Sequence, residues 1–348
     1  MDFQSTIIYT LFLIGCCLLA RKTEVSNYNP VWTFTTYIFV VIFWSIRYKI
    51  GYDYNGYVFG FKLIRHDAHN MLEPAYYAIN WIFKDSAIGY IGVFAVMSII
   101  CYYFLFKLFI RERILTYGLF FSLAFQLQFM AANQIRQCFV LIVFLNIVHL
   151  LEEKKIWTFV KWSLCLMLFH ISAIFLLLAI PFSKVRFSRL FWCILLLGTY
   201  VVYLAGFFRL IGNKLMSLLP LYERYQNTGR MEAEQTGFSI VMLFWIIVAL
   251  YLLLYKRTID RPVLFNIYFC GMIFYCAFFE YHLITRVMVY FTYLNVLLAG
   301  ILCKRNQRDG LALIVISFIA YLLLCLKIPN LHGIQPYQTL FQEKIERV

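Results

Sequence analysis

Residues 157–182 read WTFVKWSLCLMLFHISAIFLLLAIPF, an almost unbroken apolar run in a chain of 348 residues. A transmembrane helix needs about 20 apolar residues, so this run is too long for one ordinary crossing. His170 and Ser172 also lie near its middle, where an imidazole at the centre of a bilayer would be costly. The run therefore predicts two short helices that meet at a turn around Phe169–Ile171, with His170 at a membrane surface.

The composition of the whole chain also indicates a membrane protein. Hydrophobic residues make up 63% of the sequence and charged residues only 14%, whereas soluble domains average roughly 45–50% and about a quarter. A soluble globule of this size could not bury so much apolar surface. The alternating pattern of a membrane β-barrel is absent, so we expect an all-α, polytopic integral membrane protein.

Further apolar runs of roughly spanning length are spread along the sequence. Together with the run above, they cover Ile7–Ala20, Trp32–Ile46, Ile88–Phe109, Ile114–Ala131, Ile135–Leu151, Trp157–Phe182, Leu190–Phe208, Phe238–Tyr255, Val263–Phe279, Leu283–Leu302 and Leu311–Leu326. No cleavage site of the small-x-small kind follows the first run, so we expect it to remain as a helix. We find no internal repeat and no linker, which predicts a single transmembrane domain over residues 1–348.

The basic residues decide the orientation of the chain. The net charge is +14, and short loops rich in lysine and arginine face the cytoplasm. The basic connectors are Arg21–Lys22, Lys107 with Arg111 and Arg113, Lys154–Lys155, Lys184 with Arg186 and Arg189, Lys256–Arg257 with Arg261, and Lys304–Arg305 with Arg308. They share one side only if residues 157–182 cross twice, which gives about twelve crossings with both termini outside. Lysines and arginines in cytoplasmic loops therefore explain the net positive charge, and no nucleic-acid partner is needed to account for it.

With this topology, the unusual polar and aromatic residues collect on the non-cytoplasmic face. The longer outer loops lie near residues 45–85 and 207–236. The candidate residues are Arg47, Tyr52, Asp53, Tyr54, Tyr57, Glu73, Asn133, Arg136, Gln137, His170, Arg224, Tyr225 and Arg286. Guanidinium groups bind phosphate through paired N–H donors, and aromatic rings stack on sugars. The mixture therefore favours an anionic, sugar-bearing substrate.

Several of these residues also have ordinary structural interpretations. Asp53 stands where a turn or a helix cap is common, and Glu73 precedes Pro74 as a carboxylate at a helix start. Arg136 could anchor a helix end at the membrane interface. His170 with Ser172 could form a plain hairpin turn with a capping serine.

The motifs on this face resemble the EpsG-like family of Wzy-type exopolysaccharide polymerases. The matching segments occur in the family's order and span from about residue 45 to residue 295, which is most of the chain. They are Arg47…Gly51-Tyr52-Asp53-Tyr54…Tyr57, Glu73-Pro74…Tyr77, Asn133-Gln134-Ile135-Arg136-Gln137, His170-Ile171-Ser172 and Arg286…Tyr290-Phe291. Each segment is weak alone, whereas the ordered set is moderately specific.

The resemblance implies a glycosyltransferase of the integral-membrane class that uses lipid-linked donors. Polyprenyl-diphosphate-linked oligosaccharides would be both donor and acceptor, joined into a polymer at the outer face of a bacterial cytoplasmic membrane. A chain-length regulator is a candidate partner. A diphosphate is already a good leaving group, so no metal and no cofactor is expected.

The two tasks of such a reaction divide the candidate residues into roles. Charge develops on the departing lipid diphosphate, and we assign Arg136 and Arg286 to it, with Arg47 and Arg224 as weaker candidates. An acceptor hydroxyl must lose a proton, and Asp53, His170 and Glu73 are the candidate bases. The sequence leaves the choice among these three open. The expected substrate contacts are Tyr52, Tyr54, Tyr57, Asn133, Gln137 and Tyr225.

Three other functions remain alternatives. A flippase for the same lipid-linked sugars would have internal symmetry and charged residues deep in several spans. A membrane acyltransferase would need a reactive group on the cytoplasmic side, where His149 is the one histidine expected. A glycan ligase on the outer face would share these arginines and this topology.

The predicted topology can be tested by thiol labelling in a variant without native cysteines. We expect a membrane-impermeant reagent added from outside to label His170→Cys and to spare Lys184→Cys, because the two positions lie at opposite ends of one crossing. Equal labelling of both positions from outside would rule out the double crossing of residues 157–182.

Overall fold

The computed structural model describes residues 3–66, 73–217, 239–327 and 333–341. All regular secondary structure within these ranges is helical, and the one β-type pairing is an isolated bridge between Arg47 and Thr339. This confirms the all-α prediction.

Most of the helices lie in the apolar runs of the sequence, whereas three lie in the segments near residues 45–85 and 207–236 that were predicted as outer loops: Tyr54–Arg65, Pro74–Phe83 and Phe207–Ser217. The bounds of the helices are α1 Phe3–Val25, α2 Pro30–Ser45, α3 Tyr54–Arg65, α4 Pro74–Phe83, α5 Gly89–Arg111, α6 Leu115–Ala124, α7 Leu127–Asn133, α8 Ile135–Ile147, α9 His149–Glu152, α10 Ile156–Leu166, a 3₁₀ helix at Ile171–Leu178, α11 Ala179–Lys184, α12 Arg189–Leu204, α13 Phe207–Ser217, α14 Ile240–Leu254, α15 Lys256–Ile259, α16 Pro262–Ala277, α17 His282–Thr292, α18 Leu294–Arg305 and α19 Gln307–Lys327.

Several helices in the described ranges are long and apolar enough to span a membrane. Five qualify singly, and α6 with α7 adds a sixth as a pair bent by 61°. Six shorter apolar helices of 10–17 residues accompany them: Pro30–Ser45, Ile156–Leu166, Ile171–Lys184, Arg189–Leu204, Ile240–Leu254 and Pro262–Ala277. The chain is therefore a multi-pass membrane protein, while the count of about twelve crossings stays a prediction.

Large apolar side chains cover the outer faces of the peripheral helices. Leu11 and Leu18 on α1, Phe34 and Ile42 on α2, and Leu311 on α19 are all exposed. A soluble monomer rarely exposes contiguous apolar surface of this extent. These faces suit contact with lipid tails.

The chain forms two compact units. The first comprises Met1–Ile174 with Ala299–Val348, and the second comprises Phe175–Leu298. In the first unit α1 packs against α2, α6 and α19, and α5 packs against α2 and α8. In the second unit α16 packs against α11, α12, α14 and α17. The prediction of a single membrane domain stays a prediction.

The long apolar run at residues 157–182 breaks where the sequence predicts a turn. Helix α10 ends at Leu166, and the 3₁₀ helix begins at Ile171. No proline or glycine causes the break. Instead, the backbone N–H of Ala75 donates to Leu168 O at 2.9 Å, which ties the turn to the start of α4. The turn is confirmed, and the membrane side on which His170 lies stays a prediction.

A second break lies in a run that the sequence reads as one continuous span. Gln126 adopts a left-handed conformation with a φ of 67° between α6 and α7. The side chain of Gln128 stabilises the bend, because its amide donates to Ser122 Oγ at 2.8 Å and accepts from Trp44 Nε1 at 2.9 Å. The apolar pattern of residues 114–131 did not indicate this bend, because one of the two partners of Gln128, Trp44, lies 84 positions away.

The C-terminal segment 333–340 lies along the loop that follows α2. Three backbone hydrogen bonds join them: Gly51 N to Gly333 O at 2.8 Å, Tyr48 N to Gln338 O at 2.9 Å, and Leu340 N to Ile46 O at 3.0 Å. Tyr9 on α1 also donates to Ile334 O at 2.8 Å. We call residues 333–340 the C-terminal strap. It fixes the start of the loop that carries Asp53.

Two glycines allow close backbone contacts of the loop that follows α2, Gly333 by contacting the loop from the strap and Gly51 by contacting the end of α7. Gly51 has a φ of +103°, and an added Cβ would lie 3.0 Å from Ala132 O and from Asn133 Cα. Gly333 has a φ of +66°, and an added Cβ would lie 2.7 Å from the backbone nitrogen of Tyr52. Both positions therefore combine a left-handed backbone with contacts to rigid backbone atoms.

We expect Gly51→Ala and Gly333→Ala each to destabilise the protein by more than the roughly 1–2 kcal/mol that a left-handed backbone alone costs a residue with a Cβ. Gly206→Ala is the matched control, because Gly206 has a φ of +75° with nothing within 4 Å of an added Cβ. The measurement is the midpoint of thermal unfolding in detergent. Equal losses for all three variants would contradict the tight contacts of Gly51 with the end of α7 and of Gly333 with the loop.

Candidate functional site

The site begins at the N-terminus of α4, where proline orders the chain. Pro74 is the first residue of α4, and Glu73 before it has extended backbone angles with φ −60° and ψ 142°. A residue before proline is restricted to this region, and proline suits the first helical position. The Glu73 side chain does not cap its own helix. Its carboxylate is therefore available to groups from other elements.

The Glu73 carboxylate joins three segments that are far apart in the sequence. One oxygen, Oε2, accepts a charged hydrogen bond from Arg136 Nη1 near the start of α8. The other, Oε1, lies 2.8 Å from His170 Nδ1 and accepts from the backbone N–H of Ile171 at 3.3 Å. The sequence predicted all three side chains as site residues, and the structure brings them into direct contact.

Two tyrosine rings flank the Arg136 guanidinium. Its Cζ lies 5.8 Å from the ring centre of Tyr57 and 5.4 Å from that of Tyr76. Such cation–π contacts stabilise a positive charge that has lost part of its water. The Arg136 side chain keeps 25% of its surface exposed. The residue is thus held in place and remains reachable.

The charge state of Glu73 follows from these partners. Burial alone would raise its pKa, but the hydrogen bond with His170 and the positive charge of Arg136 outweigh burial and lower the pKa to about 2. Glu73 is therefore an anion at any physiological pH. It neutralises Arg136 and holds the His170 ring.

Asp53 lies on a neighbouring segment that is positioned through its backbone. Its N–H donates to the side-chain oxygen of Asn133 at 3.0 Å. It occupies the N-cap position of α3 without a capping hydrogen bond from its side chain. Its carboxylate takes part in no ion pair within the described ranges. Asn133 thereby links the Asp53 loop to the helix break that precedes Arg136.

Arg47 lies behind this layer and is only 3% exposed. Its guanidinium donates to Trp44 O at 2.6 Å and lies 5.0 Å from the ring centre of Phe94. No carboxylate pairs with it among the residues that the structure describes. In this conformation Arg47 supports the loop, whereas Arg136 is the guanidinium that a ligand can reach.

The remaining predicted residues differ widely in exposure. Tyr52 is 64% exposed, whereas Tyr54 is 6% exposed and packs against Phe94. Gln137 and Asn133 are buried. Arg286 is an exposed residue on α17, in the second unit. Arg224 and Tyr225 lie outside the described residues.

Sequence reasoning missed two parts of this arrangement. Tyr76 was not among the predicted site residues, although it lies three positions after Glu73, in the first turn of α4. The C-terminal strap was read as an outer tail, and no periodicity in residues 333–340 indicates that it pairs with the loop after α2. The described ranges also contain no group of three or more potential metal ligands.

One comparison with known proteins gives a match. The sequence model of the EpsG family matches residues 31–339, which include every motif quoted above and all but the last residue of the strap. The resemblance read from the motifs is thereby confirmed. No curated protein and no solved structure matches the chain.

The low pKa of Glu73 predicts a pH-dependent contribution to stability. Because the folded pKa of about 2 lies below the ordinary value of 4.5, the ionised carboxylate stabilises the fold above pH 4.5. This contribution is lost as the pH falls from 4.5 towards 2. We expect the native protein to unfold at a higher temperature than Glu73→Gln at neutral pH, with the difference shrinking in that window.

The Arg136→Ala background is the control for this experiment. The charge of Arg136 is one cause of the lowered pKa, so Glu73→Gln should cost less stability there. The ion pair would be contradicted if Glu73→Gln lowered the unfolding temperature by the same amount at every pH and equally in the native and Arg136→Ala backgrounds.

Proposed function

Because this chain belongs to the EpsG family, we propose that it polymerises polyprenyl-diphosphate-linked oligosaccharide repeat units into a surface polysaccharide. The protein would be a glycosyltransferase in the cytoplasmic membrane of a bacterium, with its site on the outer face. The growing chain would leave its lipid diphosphate and move onto the non-reducing end of a new repeat unit.

The cluster of Glu73, Arg136 and His170 is the observation that carries this proposal. A reachable guanidinium suits a phosphate oxygen, and the flanking rings of Tyr57 and Tyr76 exclude water from one side of it. Hydrogen bonds to developing charge are stronger where water is excluded. Negative charge grows on the diphosphate as the bond to the sugar breaks, and Arg136 would stabilise it.

Arg136 would bind the phosphate while keeping its partner. The ion pair with Glu73 occupies Nη1, and the part of the side chain that stays exposed is left for a ligand. Glu73 would then orient Arg136 rather than compete for it. Arg286 is the second arginine in the proposal, as a further diphosphate contact.

The direct test uses the full chain in lipid vesicles with a defined polyprenyl-diphosphate repeat unit. Gel analysis of the product should show a ladder of polymers with spacing of one repeat. Transfer of the glycan to an unrelated acceptor without a ladder would indicate a ligase, and movement of the unit across the vesicle membrane without new bonds would indicate a flippase.

We expect Arg136→Ala and Arg286→Ala each to reduce polymer formation by about a hundred- to a thousand-fold, or roughly 2.7–4 kcal/mol in activation free energy. Lysine at either position should restore only part of the rate, because it keeps the charge and loses the paired donors. The measurement is polymer formed per amount of membrane-inserted protein.

Arg21→Ala is the matched control. Arg21 is highly exposed and reaches Glu24 only at 4.0 Å, so its loss should leave the rate unchanged. Near-normal ladders from both Arg136→Ala and Arg286→Ala would show that these residues anchor helix ends, and the diphosphate site would have to be abandoned.

A further inference from the structure

We propose that His170 is the proton acceptor of the reaction and that Glu73 is its positioning residue. This inference rests on the proposed function and assigns the one role that the sequence leaves open among Asp53, His170 and Glu73. It follows from the way the two nitrogens of His170 are placed.

The contact with Glu73 fixes the tautomer of the imidazole. His170 Nδ1 lies 2.8 Å from Glu73 Oε1, and that same oxygen also accepts from the backbone N–H of Ile171. The carboxylate is ionised and carries no proton, so the hydrogen of this contact belongs to Nδ1. The lone pair of the neutral ring is therefore on Nε2.

Nε2 is the nitrogen that remains open. No hydrogen bond to it is present within residues 3–66, 73–217, 239–327 and 333–341, and the side chain is 25% exposed. The turn that carries His170 is held by the bond from Ala75 to Leu168. The ring is thus fixed by one nitrogen and reachable at the other, which is the arrangement that proton transfer requires.

Glu73 itself is unsuited to accept the proton. Both of its oxygens already accept hydrogen bonds, one from Arg136 and one from His170 and Ile171. A carboxylate held in this way is a weak base, because protonation would break the ion pair. Its effect on the reaction would pass through the orientation of His170 and of Arg136.

The charged and titratable groups around the imidazole come from a few elements. Glu73 faces it from the start of α4, with Tyr76 one turn further along. Arg136 at the start of α8 and Tyr57 on α3 lie on the other side of the carboxylate. The carboxylate would stabilise the imidazolium that forms during transfer, and it already neutralises Arg136.

The step is a single displacement at the anomeric carbon. His170 Nε2 removes the proton of the acceptor hydroxyl while that oxygen forms the new bond to the sugar. The bond between the anomeric carbon and the phosphate oxygen breaks, and the electron pair leaves with the lipid diphosphate. The imidazolium then returns its proton to solvent.

Asp53 is the competing base. Its carboxylate takes part in no ion pair in the described part of the chain, and its hydrogen bonds with Asn133 and Tyr57 are made by its backbone, so they fix the chain and not the carboxylate. Among the described residues, no contact comparable to the bond between Glu73 and His170 orients this carboxylate. The experiment must therefore compare the two residues directly.

The test measures kcat and the KM for the acceptor in vesicles with a defined repeat unit, for native protein, His170→Ala, Glu73→Gln and Asp53→Asn. We expect His170→Ala to lose about a hundred- to ten-thousand-fold in kcat with little change in KM. Added imidazole should restore part of this loss. Glu73→Gln should lose about ten- to a hundred-fold, as is typical when a residue that orients a functional histidine is removed.

Further readouts separate a chemical role from a structural one. Binding of the lipid-linked unit should survive His170→Ala, and the fall in rate on the acid side of the pH profile should disappear in that variant. His149→Ala is the matched control, because its Nδ1 also has a fixed partner, Asn146 O at 2.6 Å, that is a carbonyl and not a carboxylate. It should keep the native rate and profile.

Each failure has a distinct meaning. A ladder from native protein together with native kcat in His170→Ala would overturn the role of His170 and leave the polymerase standing. Loss of activity in His170→Ala that imidazole does not restore, with loss of lipid binding, would make the residue structural. Severe loss in Asp53→Asn with a mild effect of His170→Ala would move the base to Asp53. No ladder from native protein would overturn the proposed function and this inference with it.

Discussion

The site depends on the hydrogen bonds that the two oxygens of the Glu73 carboxylate accept. One binds Arg136 and the other binds His170 and the N–H of Ile171, so a single side chain joins the start of α4, the start of α8 and the turn after α10. A half-buried carboxylate is stable only when its charge is paired and hydrogen-bonded. The ion pair and the turn therefore support each other, since losing either would leave a buried charge with too few partners.

Much of this could be predicted from the sequence because the bilayer restricts the possible folds. Apolar runs in a chain with few charges allow only helices, and an imidazole in the middle of residues 157–182 favours a break. Arg136, Glu73 and His170 could be chosen because a charged group beside an apolar run is costly without a function or a partner. The sequence could not reveal that these three residues meet, since the contacts span 63 and 97 positions.

The features that the sequence did not indicate have a common physical origin. The bend at Gln126 depends on the hydrogen bond that Gln128 accepts from Trp44 and the one that it donates to Ser122, and the strap depends on backbone bonds between residues more than 280 positions apart. Neither leaves a periodic pattern of apolar residues. The one local sign was glycine, since a Cβ at Gly333 would meet the backbone of Gly51 and Tyr52, and a Cβ at Gly51 would meet the end of α7. Arg47, which the sequence analysis named as a weaker diphosphate contact, is buried in the structure, and its role stays a prediction.

The chemistry of the proposed reaction and the electrostatics of the cluster impose the same requirement. A site that binds a diphosphate must hold positive charge before the ligand arrives, and a site that removes a proton must tolerate a second positive charge during transfer. In the proposed mechanism Glu73 would meet both needs, because its negative charge offsets Arg136 in the resting state and would offset the imidazolium in the transition state. A residue without a carboxylate in place of Glu73 would leave the charge of Arg136 unpaired and remove the acceptor that orients His170. Under this proposal, the proton that the reaction must move explains an acidic residue at the centre of a site for an anionic substrate.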